Sequence, residues 1–195
     1  AKDAKQKEKI DTAIIGDSTL RLTQHVGIRA DVTCMSGASA GQIATAVENA
    51  PKPYNKIIIA AGCNDVKDDS INTHEKAKEI EQSLGRVVEV VRANENKNFV
   101  FLNTSPPLTE TTPNEFVLSS FFDKKLEKLA LACDNLEIVK IKRHAEPWVE
   151  GHPTRLCTEE MVKSLKFEYP DILHVKKCYN QYFSFLKITQ HKCLI

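Results

Sequence analysis

Five short apolar runs alternate along this chain with longer segments of helical periodicity, and this alternation constrains its fold more than any other feature. The clearest run, Lys56–Ala61, reads Lys-Ile-Ile-Ile-Ala-Ala and ends at Gly62. Runs that are apolar at nearly every position are typical of strands covered on both faces, as in parallel sheets. The predicted strands are Thr12–Ile15, Asp31–Met35, Lys56–Ala61, Asn98–Asn103 and Leu136–Ile141.

Helices are predicted between these strands and near the end of the chain. In the longest, Ile80, Leu84, Val87, Val88 and Val91 recur at helical spacing, and Thr73 is expected to cap it. Strands that alternate with helices predict an α/β fold, here a three-layer α/β/α sandwich around a central, mostly parallel five-stranded sheet. The predicted helices are Gly41–Asn49, Thr73–Ala93, Glu115–Cys133 and Lys176–Leu186.

Length and composition are those of a globular protein. The 195 residues fit a single domain over 1–195, with 42% hydrophobic and 27% charged residues. A net charge of +1 gives no bulk attraction to nucleic acid or to an anionic membrane. Residues 1–10 are polar and lysine-rich, which predicts a polar leader or the end of a preceding segment. Without a signal core or an apolar stretch of spanning length, we expect a cytoplasmic or nuclear protein.

The six cysteines have no CxxC spacing, and we expect reduced thiols. Cys34 and Cys63 adjoin apolar segments and are expected to be small buried hydrophobic residues. The histidines show neither an HExxH pattern nor a Cys/His pairing, so no metal and no cofactor is predicted.

Ser18 follows the first predicted strand in the sequence Gly16-Asp17-Ser18. A sharp turn there would present its hydroxyl at the carboxyl edge of the sheet, where open α/β folds place their chemistry. A serine needs such presentation and an activating base to act as a nucleophile. The alternative is that Ser18 is only the N-cap of a following helix.

Three further segments lie where strand ends converge or near the C-terminus. Gly37 stands among small residues after the second strand, and Asn64 and Asp65 follow the third strand. Asp171 precedes His174 by three residues, which lets both reach one pocket. Each has a structural alternative: a turn glycine, a helix cap or Asx-turn, a cap of the last helix, and a structural histidine.

Taken in order, these segments resemble the SGNH hydrolase family, also called the GDSL-type esterase/lipase family, whose fold is flavodoxin-like. The matching blocks are Gly16-Asp17-Ser18, Gly37, Gly62-Cys63-Asn64-Asp65 and Asp171-Ile172-Leu173-His174. Two departures occur. Thr19 stands where the family has leucine, and the last block lacks the glycine and leucine that often flank the histidine. His152 is therefore an alternative to His174.

The resemblance implies a role for each matched residue. Ser18 would be the nucleophile, His174 the general base and Asp171 the residue that orients the histidine. The backbone N–H groups of Ser18 and Gly37 and the side chain of Asn64 would form the oxyanion hole. Asp17 and Asp65 are expected to organise turns, and Cys63, beside the site, is either a packed or a reactive thiol.

The substrate is the part that the sequence describes least. Small residues at 38–40 are compatible with a short acyl group such as acetyl. Trp148 and Tyr169, in the irregular stretch 143–169, either stack on a sugar, cover the pocket or belong to the core.

Two other functional classes stay open from the sequence. One is a non-catalytic binding module on the same fold. The other is the nucleic-acid-associated domain of a LINE-type retrotransposon protein, since SGNH-type esterase domains also occur in the first open reading frame of such elements. The parent protein would then contribute nucleic acid or membrane as partners, and basic clusters at 140–143 and 176–177 are compatible with this.

Overall fold

The central sheet has five parallel strands in the order β2-β1-β3-β4-β5. The structure, a computed structural model, describes residues 10–25, 28–50, 53–67, 72–104, 112–140, 148–149 and 152–153. The strands are β1 (Thr12–Gly16), β2 (Asp31–Cys34), β3 (Lys56–Ala61), β4 (Asn98–Asn103) and β5 (Leu136–Lys140). The predicted parallel sheet is confirmed, with strand bounds within one residue of those expected.

Three helices pack on one face of this sheet. They are α1 (Ala40–Glu48), α2 (Thr73–Arg92) and α3 (Pro113–Ala130). Their apolar residues join alternate strand residues such as Ile57, Ile59 and Phe101 in the larger core cluster. The α/β architecture with a central sheet is therefore as predicted, while the last predicted helix, Lys176–Leu186, lies outside the described residues.

The opposite face of the sheet carries a second cluster. Ile14, Ile58 and Val100 point to this face and are at most 1% exposed. Leu20 covers them from a 3-10 helix over Ser18–His25. The central strands are thus covered on both sides, which explains why their sequences are apolar at nearly every position.

Helix ends follow local capping chemistry, and one expectation about them is wrong. Asn72, not Thr73, caps α2, because its side chain accepts a hydrogen bond from the backbone N–H of His74 at 3.0 Å. Asparagine is the stronger N-cap residue, which accounts for the difference. Ser39 caps α1 and Thr112 caps α3, each with a reciprocal capping box.

A short antiparallel pair lies in the segment that the sequence shows as irregular. It comprises β6 (Trp148–Val149) and β7 (His152–Pro153). The side chain of Trp148, expected on a sugar, over the pocket or in the core, is not described. Tyr169 lies outside the described residues.

The strand β1 leaves the sheet through a crowded point at Gly16. A Cβ atom on this residue would lie 2.5 Å from the carbonyl oxygen of Ala60 and 2.7 Å from Cδ1 of Leu20. The neighbouring N–H of Asp17 donates to that same carbonyl at 3.0 Å. The site edge therefore requires glycine here for space.

We expect Gly16→Ala to destabilise the fold by about 2 kcal/mol or more, because backbone and side chain must both shift to admit the methyl group. Gly85→Ala on α2 is the control, since nothing lies within 4 Å of its added Cβ. That control should raise the free energy of unfolding by about 0.5–1 kcal/mol. Urea unfolding measures both, and equal effects of the two substitutions would contradict the steric argument.

Candidate active site

The predicted site segments leave three neighbouring strands at the same level. Gly16 is in register with Cys34 of β2 and with Ala60 of β3, and all three strands run parallel. Ser18 therefore follows the central strand of this trio, with the segments that carry Gly37 and Asn64 on either side. Because β1 lies between β2 and β3, its end is the topological switch point, where open α/β sheets bind ligands.

Asp17, rather than Ser18, caps the 3-10 helix that follows β1. Its Oδ1 accepts hydrogen bonds from the backbone N–H of Thr19 at 2.9 Å and from the Thr19 hydroxyl at 2.5 Å. Ser18 is the first residue of this 3-10 helix and is 7% exposed. The interpretation of Ser18 as a simple N-cap is therefore wrong, and Asp17 organises the turn as expected.

Asp17 also connects β1 to the neighbouring strands. The hydroxyl of Thr104 donates to its Oδ2 at 2.8 Å. The backbone N–H of Thr104 in turn donates to the carbonyl of Ala61 at the end of β3, at 2.9 Å. One fully buried carboxylate thus fixes the ends of β1, β3 and β4 relative to one another.

Burial raises the pKa of Asp17 above its usual value, since desolvation disfavours the charged carboxylate. Hydrogen bonds from Thr19, from Thr104 and from the backbone N–H of Cys63 oppose this rise in pKa. Desolvation is the larger effect, so the net pKa of Asp17 is raised. The buried position that lets this carboxylate connect three strands therefore also destabilises its charged form.

The two segments proposed for the oxyanion hole are joined to each other. The side-chain amide of Asn64 donates to the carbonyl of Ala38 at 3.1 Å. An asparagine amide has two N–H bonds, and this contact uses one of them. Gly37 has a φ of 75° and Gly62 a φ of 128°, conformations that favour glycine, so both loops turn sharply beside β1.

Asp65 anchors a distant helix rather than its own turn. Both of its carboxylate oxygens accept from the backbone N–H of Ala40, the first residue of α1, at 3.1 and 3.0 Å. Its Oδ1 also accepts from the hydroxyl of Ser83 on α2 at 2.7 Å. Asp65 was expected to organise a local turn. Its side chain instead binds the start of α1, 25 residues away in the sequence.

The cysteines beside the site differ from the expectation of small buried hydrophobic residues. Cys34 and Cys63 are both half-buried, and the thiol of Cys34 donates to the carbonyl of Asp17 at 3.3 Å. Cys133 is buried, and these three thiols form no disulfide. Burial raises the pKa of Cys63 to about 12, with the negative charge of Asp17 acting in the same direction.

The remaining members of the predicted triad, Asp171 and His174, lie outside the described residues. The alternative, His152, lies in β7, and its side chain is not described. Their arrangement around Ser18 therefore stays a prediction.

Sequence reasoning missed Thr104 and Ser83. Thr104 directly follows a buried strand, a position that polar site residues favour, so that signal was available. Ser83 is one of many polar residues on a long helix, and nothing in its local sequence marks it.

Two other properties concern the described part of the chain only. There, no cluster of three or more histidine, cysteine or acidic side chains is arranged to hold a metal ion. No helix within the same residues has both the length and the apolar character that crossing a membrane would require.

Replacing Asp17 by asparagine should change how stability depends on pH. Because the raised pKa means that the folded state holds the proton more tightly, this carboxyl stabilises the fold fully below its unfolded pKa. That contribution is lost as the pH rises through the folded-state pKa, and Asp17→Asn cannot titrate. The stability of wild type relative to Asp17→Asn should therefore fall with rising pH in urea titrations. A relative stability that rises with pH would contradict the direction of the shift.

Cys63 should react very slowly with iodoacetamide in the native protein. A thiol with a pKa of about 12 instead of 9.0 has roughly 10³-fold less thiolate at pH 8. Peptide mapping after timed alkylation measures this, with the urea-unfolded protein as the control for full reactivity. Rapid native alkylation of Cys63 would identify it as a reactive thiol instead.

Comparison with known proteins extends the description of the fold. No family model matches the sequence, and no curated protein matches it. Solved structures do match over most of the chain. One is a protein of Streptococcus pneumonia, provisionally assigned as a platelet activating factor, with 17% identity and a TM-score of 0.61; the match covers 85% of this chain and 86% of that one.

Two further solved structures carry more specific descriptions. A member of the lipolytic G-D-S-L family from Veillonella parvula has 13% identity and a TM-score of 0.57, covering 82% of this chain and 98% of its own. A carbohydrate acetylesterase family member from Sinorhizobium meliloti has 16% identity and a TM-score of 0.56. The match covers 80% of this chain and 95% of that one. Likeness at these identities concerns the fold, and the chain has the fold of the SGNH, or GDSL-type, hydrolases.

Proposed function

We propose that this protein is a serine esterase of the SGNH type that hydrolyses short-chain acyl esters, acetyl esters above all. One observation carries the proposal. Ser18 lies at the topological switch point of the sheet, in a turn anchored by the buried Asp17, with the Gly37 and Asn64 segments on the two adjacent strands.

In the proposed mechanism, the Ser18 hydroxyl attacks the ester carbonyl while His174 takes its proton. His174 then returns the proton to the leaving alcohol, and water releases the acyl group from Ser18 by the same steps in a second half-reaction. Asp171 holds the histidine in the reactive tautomer and stabilises its imidazolium form.

The oxyanion of the tetrahedral intermediate would be held by the backbone N–H groups of Ser18 and Gly37 and by the Asn64 amide. The hydrogen bond from Asn64 to Ala38 supports this role, because it fixes the amide next to the Gly37 turn before any substrate binds. Donors fixed in advance need no reorganisation during the reaction, and losing one costs about 3–4 kcal/mol of barrier.

The preference for acetyl draws on fold similarity. Ala38 and Ala40, with 6% and 0% exposed, pack in the larger core cluster rather than at an open pocket. The fold similarity to a carbohydrate acetylesterase family member is in keeping with an acetyl substrate.

The test is hydrolysis of p-nitrophenyl acetate and of longer p-nitrophenyl esters by wild type and Ser18→Ala. We expect Ser18→Ala to lower kcat by about 10³-fold or more, and wild type to lose rate as the acyl chain lengthens. Ser36→Ala, an exposed serine on the adjacent loop, is the matched control and should retain activity. Equal rates in wild type and Ser18→Ala would favour a non-catalytic binding module.

The base is assigned by comparing His174→Ala with His152→Ala under the same conditions. Only the variant that removes the base should lose activity to the level of Ser18→Ala. The wild-type rate should fall as the pH drops through about 6.5, the usual histidine pKa, or through a higher pH where the Asp171 carboxylate raises that pKa. A rate independent of pH across this range would refute a histidine base.

A further inference from the structure

We infer that Ser83, on α2, is a positioning residue for the oxyanion hole and acts through the carboxylate of Asp65. The inference rests on the proposed function. It gives a positioning role to a residue outside the sequence blocks around Ser18, Gly37, Asn64 and His174. Ser83 belongs to a helix that contributes no residue to those blocks.

The first step is the contact between Ser83 and two other elements. Its hydroxyl donates to Oδ1 of Asp65 at 2.7 Å and accepts from the backbone N–H of Gly41 at 2.8 Å. Asp65 follows β3, and Gly41 belongs to the first turn of α1. A single hydroxyl therefore links the loop after β3 to the start of α1.

The second step is the closeness of the two helices at this point. A Cβ atom on Gly41 would lie 3.1 Å from Cα of Ser83 and 3.3 Å from its carbonyl and hydroxyl oxygens. The glycine allows α1 and α2 to approach until the Ser83 hydroxyl reaches the α1 backbone. A bulkier residue at either position would move the hydroxyl away from Asp65.

The third step connects this network to the groups that would hold the oxyanion. Asp65 accepts from the N–H of Ala40, while its chain neighbour Asn64 donates to the carbonyl of Ala38. Two hydrogen bonds thus hold the loop after β3 against the segment that begins at Gly37. Ser83 supports one of them, because its hydrogen bond stabilises the charged form of Asp65 against the effect of burial.

The consequence is specific to the transition state. Loosening the Asp65 contact lets the Gly37 and Asn64 segments separate, which weakens binding of the oxyanion but leaves binding of the neutral ester almost unchanged. Only interactions that strengthen in the transition state alter kcat without altering KM.

The experiment compares Ser83→Ala with Ser119→Ala by steady-state kinetics and by inhibition with a trifluoromethyl ketone. The ketone forms a tetrahedral adduct with the serine, so its Ki reports on oxyanion binding. Ser119 is a matched control, since it is buried on α3 and its hydroxyl has no hydrogen-bond partner among the described residues.

We expect Ser83→Ala to lower kcat about 10-fold and to raise Ki by a similar factor, with KM changed less than about 2-fold. Ser119→Ala should match wild type in all three. A purely structural role would reduce only the amount of active protein, lowering apparent kcat while Ki and KM stay constant, and that result would overturn the inference.

A second pair of variants tests the same contact from α1. Gly41→Ala should reproduce the change in Ki by forcing the helices apart, whereas Gly85→Ala, with nothing within 4 Å of its added Cβ, should not. Both substitutions favour helix formation, so neither is expected to prevent folding.

Amide hydrogen exchange separates this inference from the proposed function. Exchange in residues 37–41 should be faster in Ser83→Ala than in Ser119→Ala, and equal exchange would overturn the positioning role. Absence of Ser18-dependent hydrolysis in wild type would overturn the proposed function and the inference together. Ser18-dependent hydrolysis with an unchanged Ki in Ser83→Ala would overturn the inference alone.

Discussion

A carboxylate that is completely withdrawn from water connects three of the five strands at the edge where the chemistry is proposed. Asp17 accepts the hydroxyl of Thr104 and the N–H and hydroxyl of Thr19, and its own backbone N–H is bound to the carbonyl of Ala60. Burying a charge is unfavourable, and each hydrogen bond to the carboxylate offsets part of that cost. The raised pKa shows that the offset is incomplete. The position of Ser18 follows from this compromise, because its backbone lies between Asp17 and Thr19.

The second buried carboxylate, Asp65, stands next to Asn64 in the chain, as Asp17 stands next to Ser18. Asp17 precedes Ser18 and Asp65 follows Asn64, so each acid is the chain neighbour of a neutral polar residue of the proposed site. The two acids also interact, since the charge of Asp17 adds to the rise in the pKa of Asp65. The segments that carry the proposed site residues thus depend on two buried acids, which accept hydrogen bonds from the adjacent backbone.

Local patterns in the sequence were sufficient for the sheet and for the three described helices, because apolar runs and helical periodicity directly reflect burial on one or two faces. Local chemistry was also sufficient for the block after β1, where Asp17 binds a residue two positions away. The contact of Asp65 with Ala40 and Ser83 was not predictable in this way, since it joins residues 25 and 18 positions apart. The expected cap Thr73 lies one residue after the actual N-cap Asn72, the usual displacement at a helix end. The spacing of Asp171 and His174 suggested a shared pocket and the resemblance assigned their roles, and both residues lie outside the described part of the chain.

A fold shared with hydrolases does not by itself establish catalysis, so the distinction from a binding module depends on particular residues. Buried acids with raised pKa values occur at functional sites and also in structural networks. Here the two acids accept hydrogen bonds from the backbone of the segments that carry the proposed site residues. They hold a serine at the sheet's switch point, and they hold an asparagine amide fixed against a glycine turn with a φ of 75°. A binding surface needs shape and exposed contacts, whereas a reaction that develops negative charge on one oxygen needs donors fixed in advance. The hydrogen bond from Asn64 to the Ala38 carbonyl holds one proposed donor in place, which supports the proposed esterase over the binding module.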